Sequence, residues 1–372
     1  MKRKPGPGAG TSLARSLLEK VNRRVAALAR DSGRDTVRLM EVCGTHTMAI
    51  SGSGIRRAVD PRLRLLSGPG CPVCVTAQEE IDAAIGLARS REAAVVTFGD
   101  MLRVPGNAGS LEQAKARGGD VRVVYSALDA LRLAELDPGR QFTFLGVGFE
   151  TTAPTVAAAV VAAARSGTRN FTVLPMFKLI PPALAAIAGS DRVNVDGLIL
   201  PGHVSTIIGA GPYRFLAERH ALPCCIAGFE ATDVLQAILM LLRQLEEGPK
   251  VEIQYRRAVR PEGNPAAQRL TAEVFRPVDA RWRGLGPVPA SGLGFRPAYR
   301  GFDARRRFGI RPGRPRRTAC RCGDVMLGLI VPPDCRLFGR RCTPEQPFGP
   351  CMVSSEGACA AYYKYDRAEE RS

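Results

Sequence analysis

The first regular pattern in the chain is a run of apolar residues at helical spacing near the N-terminus. Within residues 12–30, the apolar side chains of one face are Leu13, Leu17, Val21, Val25 and Leu28, with charged residues between them. Apolar positions three and four residues apart are typical of an amphipathic helix. We therefore predict a helix over residues 12–30, followed by a strand at Thr36–Val42.

An apolar strand, a glycine-containing loop and a helix then recur in the same order. The strand-to-loop junctions are Thr36–Val42 into Cys43-Gly-Thr-His46, Arg64–Ser67 into Gly68-Pro-Gly-Cys71, Ala93–Phe98 into Gly99-Asp-Met101, Phe142–Leu145 into Gly146-Val-Gly-Phe-Glu150, and Leu198–Leu200 into Pro201-Gly-His203. Alternating strands and helices predict an α/β fold with parallel sheets. Ligands of such sheets bind outside the carboxyl ends of the strands, where all of these loops fall.

Two of the loops resemble each other. The segment Cys43–Arg56 aligns with Pro201–Arg214 at an offset of 158 residues, and Val104-Pro-Gly-Asn107 lies near Arg260-Pro-Glu-Gly-Asn264 at almost the same offset. A duplicated α/β unit would explain both similarities, and chance likeness between glycine-rich loops is the alternative. A duplication would give two similar α/β domains that face each other across a cleft lined by these loops.

Length and cysteine content narrow the class of protein. A chain of 372 residues corresponds to two or three domains. The longest apolar run, Val156–Ala164, is too short to span a bilayer, and the basic start Met1–Lys4 is not followed by the apolar stretch of a secretory signal peptide. We therefore expect a cytoplasmic protein without membrane association, in which eleven cysteines indicate metal or redox chemistry rather than structural disulfides.

The net charge of +18 is concentrated in one stretch. Residues 254–319 contain 16 arginines and no lysine against four acidic residues, and Arg311–Arg317 is rich in proline and glycine. An arginine-rich connector exposed to solvent is the simplest interpretation. A docking surface for an acidic partner is the second, and nucleic acid is the third, without a helix-turn-helix, zinc-finger or RNA-binding signature to support it.

The C-terminal cysteines carry the strongest chemical signal. Six thiols, set among glycines and prolines, fall within 40 residues at Cys320, Cys322, Cys335, Cys342, Cys351 and Cys359. No histidine lies among them, and the spacings lack the paired C-x2–4-C knuckles typical of zinc. A four-thiolate iron–sulfur cluster with two thiols left over is our leading interpretation, ahead of zinc and of incidental buried thiols.

Cys71-Pro-Val-Cys74 is a second site of candidate thiol chemistry. A C-x-x-C pair is typical of a redox dithiol or of half a metal site, and a buried structural pair is the third option. Thr76-Ala-Gln-Glu79 has the pattern of a capping box at the start of a helix. A helix N-terminus just after the pair would lower the thiol pKa, so we predict reactive thiolates.

The remaining candidate site residues lie in loops that follow predicted strands. Cys43 and His46 share one loop, and His203 occupies the equivalent loop of the repeat. Glu150, between a strand and a helix start, is expected either in the cleft or as a first-turn carboxylate stabilised by the helix dipole. His220 is interpreted as a surface residue, and Cys224-Cys225 as core.

Several long motifs together resemble the HypD family of nickel–iron hydrogenase maturation proteins. They are Glu41–Ile50, Gly68–Thr76, Gly148–Thr155, Pro201–Gly209 and Cys342–Tyr365, and the resemblance extends over roughly residues 12–365. It implies two similar α/β domains flanking a cleft and a third domain with a 4Fe–4S cluster, in an arrangement similar to ferredoxin:thioredoxin reductase. It also implies a scaffold on which iron receives cyanide and carbon monoxide, with two partners: a HypC-type small chaperone that shares the iron and a HypE-type cyanide donor.

Residue roles follow from the same resemblance. Cys43, Cys71 and Cys74 would be the cleft thiols for the iron and its electron supply, and His46, Glu150 and His203 would line that cleft. The six cysteines from Cys320 to Cys359 would hold the cluster and a nearby dithiol. We accordingly divide the chain into α/β domain I (1–140), α/β domain II (141–270), and an arginine-rich connector with a cluster domain (271–372).

Two other functions compete with assembly of the Fe(CN)2(CO) group. The first is an iron–sulfur thiol–disulfide reductase in which the cluster serves Cys71 and Cys74 to reduce a protein substrate. The second, a zinc-stabilised RNA-binding protein, depends on the net charge alone.

Overall fold

The computed structural model describes residues 7–32, 34–311, 313 and 318–367. Its strands are β1 Val37–Glu41, β2 Leu63–Ser67, β3 Ala94–Thr97, β4 Val121–Val123, β5 Phe142–Gly146, β6 Phe171–Pro175, β7 Gly197–Pro201, β8 Cys224–Ala227, β9 Val251–Ile253, β10 Phe275–Trp282 and β11 Gly286–Phe295. The longer helices are α1 Pro7–Ser32, α5 Gln78–Ser90, α7 Ala127–Leu136, α8 Ala153–Ser166, α12 Ala231–Glu247 and α13 Pro265–Val274.

Shorter helices connect these elements. They are α2 Gly44–Gly52, α3 Ile55–Ala58, α4 Pro72–Val75, α6 Leu111–Ala116, α9 Ile180–Ala188, α10 Gly202–Ile208, α11 Arg214–His220, α14 Ala304–Arg307, α15 Cys322–Met326, α16 Pro350–Val353 and α17 Ala358–Ala361. Turns of 3₁₀ helix lie at Gly99–Met101, Gly211–Tyr213, Pro297–Phe302 and Pro332–Asp334, and a π-helical turn at Tyr362–Asp366.

The strands form two parallel sheets and a hairpin. The first sheet has five strands in the order β2-β1-β7-β8-β9, and the second has four in the order β4-β3-β5-β6. The antiparallel pair β10–β11 is separate. The α/β fold with parallel sheets is therefore as the sequence predicts, and each strand predicted before a glycine loop is present within one or two residues.

The division into domains differs from the prediction. The boundary between residues 140 and 141 falls inside the second sheet, because β3 and β4 precede it while β5 and β6 follow it. The chain leaves the first sheet after β2, builds the whole second sheet, and returns to place β7 beside β1, with Leu39 opposite Gly197. The two similar loops after β1 and β7 therefore lie side by side on one sheet and do not face each other from two domains.

Helices cover both sheets and create three buried apolar clusters. Helices α1 and α12 pack on the first sheet through residues such as Val21, Val25 and Ile238. The predicted first helix is present, although Leu13 is exposed. Phe142, Phe144 and other residues fill the core of the second sheet. A third cluster joins the two sheets to the C-terminal segment, so the sulfur-rich part of the chain lies within a shared core.

The arginine-rich stretch is mostly folded, contrary to the connector interpretation. It includes the turn that follows β9, helix α13, the β10–β11 hairpin and helix α14. Isolated bridges join the hairpin to the body at Thr76 with Trp282 and at Lys178 with Gly292. Most of the Arg311–Arg317 loop lies outside the described residues.

The C-terminal segment 318–367 has only one-turn elements, as the absence of periodicity predicts. It packs on the α/β body through contacts of α16 with α4 and of α17 with α2. Among the helices in the described ranges, none has the length and apolarity required to cross a membrane.

Candidate functional site

Cys43 lies at the carboxyl end of β1 and caps the N-terminus of α2. Its backbone is extended, and its N–H donates to Glu41 Oε2 at 3.0 Å. Glu41 is itself buried and also accepts a hydrogen bond from the Thr47 hydroxyl. The side chain of Cys43 is 7% exposed. Burial, reinforced by the charges of Glu356 and Glu41, raises the pKa of Cys43 to about 12, so the free protein holds this group as a thiol.

The loop after β2 approaches the Cys43 backbone so closely that only glycine fits. A Cβ on Gly70 would lie 2.2 Å from Cys43 N, and the Gly44 N–H donates to Gly70 O at 3.0 Å. Because β1 and β2 are adjacent and parallel, the next residue in the loop, Cys71, is held beside Cys43. The loops after β1 and β2 therefore meet at the carboxyl edge of the first sheet.

Cys71 and Cys74 form a disulfide. Cys71 caps the one-turn helix α4 and its Sγ accepts from the Cys74 N–H at 3.1 Å, and both residues are buried. The predicted pair of thiolates is therefore oxidised here. The predicted capping box is wrong, because the Thr76 hydroxyl donates to Pro72 O at 2.8 Å and α5 starts two residues later. The competing backbone acceptor one turn upstream removes Thr76 from the cap position.

His46 and His203 lie on either side of Phe229, which follows β8. The ring centroids are 4.7 Å apart for His46 with Phe229 and 4.0 Å for His203 with Phe229. His46 is fully buried, with Nε2 2.9 Å from Gly228 O, and burial lowers its pKa to about 4. His203 is exposed, and Glu356 lies close enough to oppose the lowering of its pKa by desolvation. Of the two histidines, His203 is the one that a bound group could reach.

Glu150 is positioned by the second sheet and not by the Cys43 loop. Its Oε1 accepts from the Ile180 N–H at the start of α9 at 2.9 Å, while Oε2 has no hydrogen-bond partner in the part of the chain that the structure describes. Burial raises the pKa of Glu150 to about 7. Burial raises the pKa of the Tyr213 hydroxyl, and the charges of Glu150 and Cys43 raise it further. The carboxyl group of Glu150 therefore lies at the start of α9, and not in the first turn of the helix α8 that follows it in the chain.

Two acidic residues that the sequence analysis did not single out join the site. Glu356, in the C-terminal turn, accepts from the Thr45 hydroxyl at 2.7 Å, and its chain passes so close to α2 that a Cβ on Gly44 would lie 2.5 Å from Glu356 Cβ. Asp100, after β3, accepts from the Ser355 hydroxyl at 3.0 Å. The sequence did contain an indication of both residues. Glu356 is the only charged residue between Cys351 and Cys359, and Asp100 follows a predicted strand.

The C-terminal turn also approaches the disulfide. The Ser354 hydroxyl lies 3.3 Å from Cys71 Sγ and 3.4 Å from Asp100 Oδ2. Three parts of the chain therefore meet at this point: the first sheet through Cys43 and Cys71, the second sheet through Asp100, and the C-terminal segment through Ser354 and Glu356.

The six C-terminal thiols form a connected group behind this turn. Cys322 accepts hydrogen bonds from Cys320 and Cys351, which lower its pKa, and Cys351 also interacts with Cys359. Cys342 interacts electrostatically with Cys359 and with Cys335. Cys322 and Cys351 are the most buried of the six, at 3% and 1% exposure.

The chemistry of the thiol group suits an iron–sulfur cluster. A Cβ on Gly349 would lie 2.3 Å from Cys320 Sγ, so glycine keeps room for sulfur at this point. Soft thiolates without histidine are the usual ligands of a 4Fe–4S cluster. Within the described ranges, no three or more His, Cys, Asp or Glu residues surround a position for a single metal ion.

Comparison with known proteins gives the family. The matching family model is that of HypD, described as the hydrogenase formation hypA family, and the match covers residues 13–366. The chain belongs to the HypD family. The hydrogenase maturation factor HypD of Rhizobium leguminosarum bv. viciae is 47% identical over 366 residues, covering 96% of this chain and 94% of that protein.

Two further relatives have similar coverage. The hydrogenase maturation factor HypD of Rhodobacter capsulatus is 45% identical over 96% of each chain, and that of Cupriavidus necator is 46% identical over 93% of this chain and 95% of its own length. The resemblance predicted from the motifs is confirmed, and this member of the HypD family has a role in hydrogenase maturation.

Proposed function

We propose that this chain is the scaffold on which the iron of the nickel–iron hydrogenase active site acquires its cyanide and carbon monoxide ligands. The observation that carries the proposal is the convergence of a buried thiol, Cys43, with the Cys71–Cys74 disulfide on one edge of a parallel sheet. Thiolate sulfur anchors a soft, low-spin iron, and a neighbouring disulfide stores two redox equivalents.

Cys43 is the anchor for the iron, which is the cargo of the scaffold. Its pKa of about 12 keeps the proton in place until a cation binds, and the positive charge of the iron then displaces that proton. Glu356 lies near both Cys43 and the exposed His203, so we propose that these two side chains meet the incoming iron. The low exposure of Cys43 keeps the bound group away from water.

The six C-terminal thiols would hold a 4Fe–4S cluster and a dithiol. Cys322 and Cys351 contact each other and are buried deepest, and α16, which carries Cys351, packs on α4 of the disulfide. We assign these two as the dithiol and the other four, Cys320, Cys335, Cys342 and Cys359, as the cluster ligands. When bound, the cluster would supply one-electron reducing equivalents.

The dithiol and the disulfide can exchange without any other reactant. A thiolate from Cys322 or Cys351 attacks one sulfur of Cys71–Cys74, the old S–S bond breaks, and a mixed disulfide forms. The second thiol of the pair then attacks the first thiol's sulfur in the mixed disulfide, and the sulfur of Cys71 or Cys74 that was held there leaves as a thiolate and takes up a proton. Two electrons and two protons pass to Cys71 and Cys74, and Cys322–Cys351 is left oxidised.

The partners and location follow the family resemblance. We propose that a HypC-type small chaperone shares the iron and that a HypE-type protein donates cyanide. The assembly would take place in the cytoplasm, where a disulfide such as Cys71–Cys74 is usually transient and catalytic.

The alternative, a reductase for a protein disulfide, has less support. Cys71 is 5% exposed and Cys74 is not exposed at all, so a disulfide in another protein cannot reach either sulfur in this conformation. The proposed exchange partner is the chain's own dithiol, and the packing of α16, which carries Cys351, on α4 supports it.

The test is an infrared spectrum of anaerobically purified protein in complex with its small partner. The wild type should show cyanide and carbonyl stretching bands, and Cys43→Ala should lose them while keeping the visible absorption of the cluster. Cys225→Ala is the matched control, because Cys225 is a buried thiol in β8 that contacts Met240 and not the site. Bands that persist in Cys43→Ala would refute the anchor, and loss of the visible absorption would refute the separation of the two sites.

A further inference from the structure

The folded part of the arginine-rich stretch forms a groove away from the thiol site. Three arginines from three different elements line it: Arg276 of β10, Arg300 of the 3₁₀ turn and Arg306 of α14. Val278 and Phe295 are the apolar part of its lining, and its volume is about 590 Å³. We call this the arginine groove. None of its lining residues belongs to the thiol site described above.

The positive charge of the arginine groove is not compensated by its own residues. Arg276 and Arg300 are exposed and make no ion pair or hydrogen bond through their side chains within the described ranges. The one carboxylate in the lining, Asp303, accepts from the Arg305 N–H at 2.9 Å and caps α14. Three guanidinium groups against one occupied carboxylate leave a local excess of positive charge.

In the cavity next to the arginine groove, positive charge is largely neutralised. This cavity shares Val278 and Asp303 with the arginine groove, but both of its arginines are paired with glutamates, Arg281 with Glu79 and Arg305 with Glu80. Glu79 lies 2.7 Å from Arg281, and Glu80 lies 2.8 Å from Lys178. An anionic ligand is therefore attracted to the arginine groove and not to its neighbour.

We propose that the arginine groove binds an acidic segment of a partner protein, in which apolar side chains alternate with carboxylates. Guanidinium groups bind carboxylates through paired hydrogen bonds, and the half-buried Val278 offers an apolar contact to the intervening side chains. A second copy of this chain does not fit, because each copy carries a net charge of +18. Single-stranded nucleic acid fits less well, because Phe295, the aromatic residue of the lining, is only 8% exposed and offers no ring for base stacking.

The test measures fluorescence anisotropy of a labelled peptide of repeated Asp-Glu-Leu with the full-length chain at low and physiological salt. The combined variant Arg276→Glu, Arg300→Glu and Arg306→Glu should weaken binding about tenfold or more. The control changes three exposed arginines elsewhere, Arg132→Glu, Arg192→Glu and Arg219→Glu, with the same change in net charge. It should weaken binding less than about twofold, because distant surface charges are screened.

Two kinds of result would overturn the proposal. No binding by the wild type, or equal weakening in both triple variants, would mean that the groove has no specific role. Tighter binding of labelled oligouridylate, lost in the same groove variant, would assign the surface to RNA. If the charge-reversed protein fails to fold, as reported by Trp282 fluorescence, the neutral variant Arg276→Gln with Arg300→Gln carries the same expectation with a smaller loss. Loss of this site would leave the iron-assembly proposal untouched.

Discussion

At the scale of single residues, burial decides which candidate groups can react in the free protein. Cys43 remains a thiol because desolvation outweighs the hydrogen bonds that would stabilise its thiolate. His46, which shares a loop with Cys43, is neutral and enclosed against Phe229 and Gly228. Neither condition can be inferred from the order of residues alone, since both depend on how much protein packs over the loop.

Glu150 provides a test of burial through pH. Its pKa is about 7 in the folded chain against 4.5 unfolded, so its protonated form is favoured by folding. The free energy of unfolding should therefore fall as pH rises from about 4.5 to 7, by up to about 3 kcal/mol from this group, and level off above 7. Glu150→Gln, which can still accept from the Ile180 N–H, should lack this part of the fall. Urea unfolding at several pH values measures it, and identical slopes for both proteins would show that Glu150 is not desolvated.

At the scale of elements, the loops after parallel strands determine the geometry of the site. The sequence predicts the strands and their glycine loops because buried parallel strands appear as short apolar runs bounded by turn residues. It could not predict that β7 returns to pair with β1, because strand order depends on the packing of the whole chain. Cys43, Cys71 and His203 could be predicted because they lie in these loops after strands. The division at residue 140 was misplaced because it depends on the strand order.

The close contact at Gly70 can be tested with a matched pair of glycines. Gly70→Ala places a Cβ 2.2 Å from Cys43 N, so we expect a destabilisation of about 1–3 kcal/mol and a displaced Cys43. Gly86→Ala lies in the exposed interior of α5 with open space around it and should stabilise by about 0.5–1 kcal/mol. Urea midpoints measure both changes. Equal effects at the two positions would mean that the loop does not hold Cys43 in place.

At the scale of the whole molecule, the C-terminal segment connects the two sheets. Glu356 binds to α2 on the first sheet, Asp100 on the second sheet holds Ser355, and Gly323 packs against Gly284 of the hairpin turn. The sequence indicated the thiols but not these contacts, because single acids and serines in turns have no periodic pattern. The segment has few regular elements, so we expect its order to depend on the cluster proposed to bind its thiols.

Removal of the cluster should therefore loosen one part of the molecule. We expect chelation or oxygen exposure to open residues 318–367 to protease, while the sheets stay resistant. Trp282 is buried in the same apolar cluster as Cys322 and Cys351, so its fluorescence emission should shift to longer wavelength. Mass spectrometry of the fragments identifies the cleavage sites. Cleavage spread evenly over the chain, or no change in Trp282 emission, would contradict a metal-dependent segment.

The central claim is that the C-terminal thiols and the Cys71–Cys74 disulfide form one path for electrons to the iron-binding thiol. The most direct measurement is the count of alkylated thiols at Cys71 and Cys74, by peptide mass spectrometry, after anaerobic reduction of the cluster-loaded protein with dithionite and a viologen mediator. The wild type and the control Cys224→Ala with Cys225→Ala should both release two thiols. The variant Cys322→Ala with Cys351→Ala should keep the disulfide. Equal release of thiols without Cys322 and Cys351 would contradict the account.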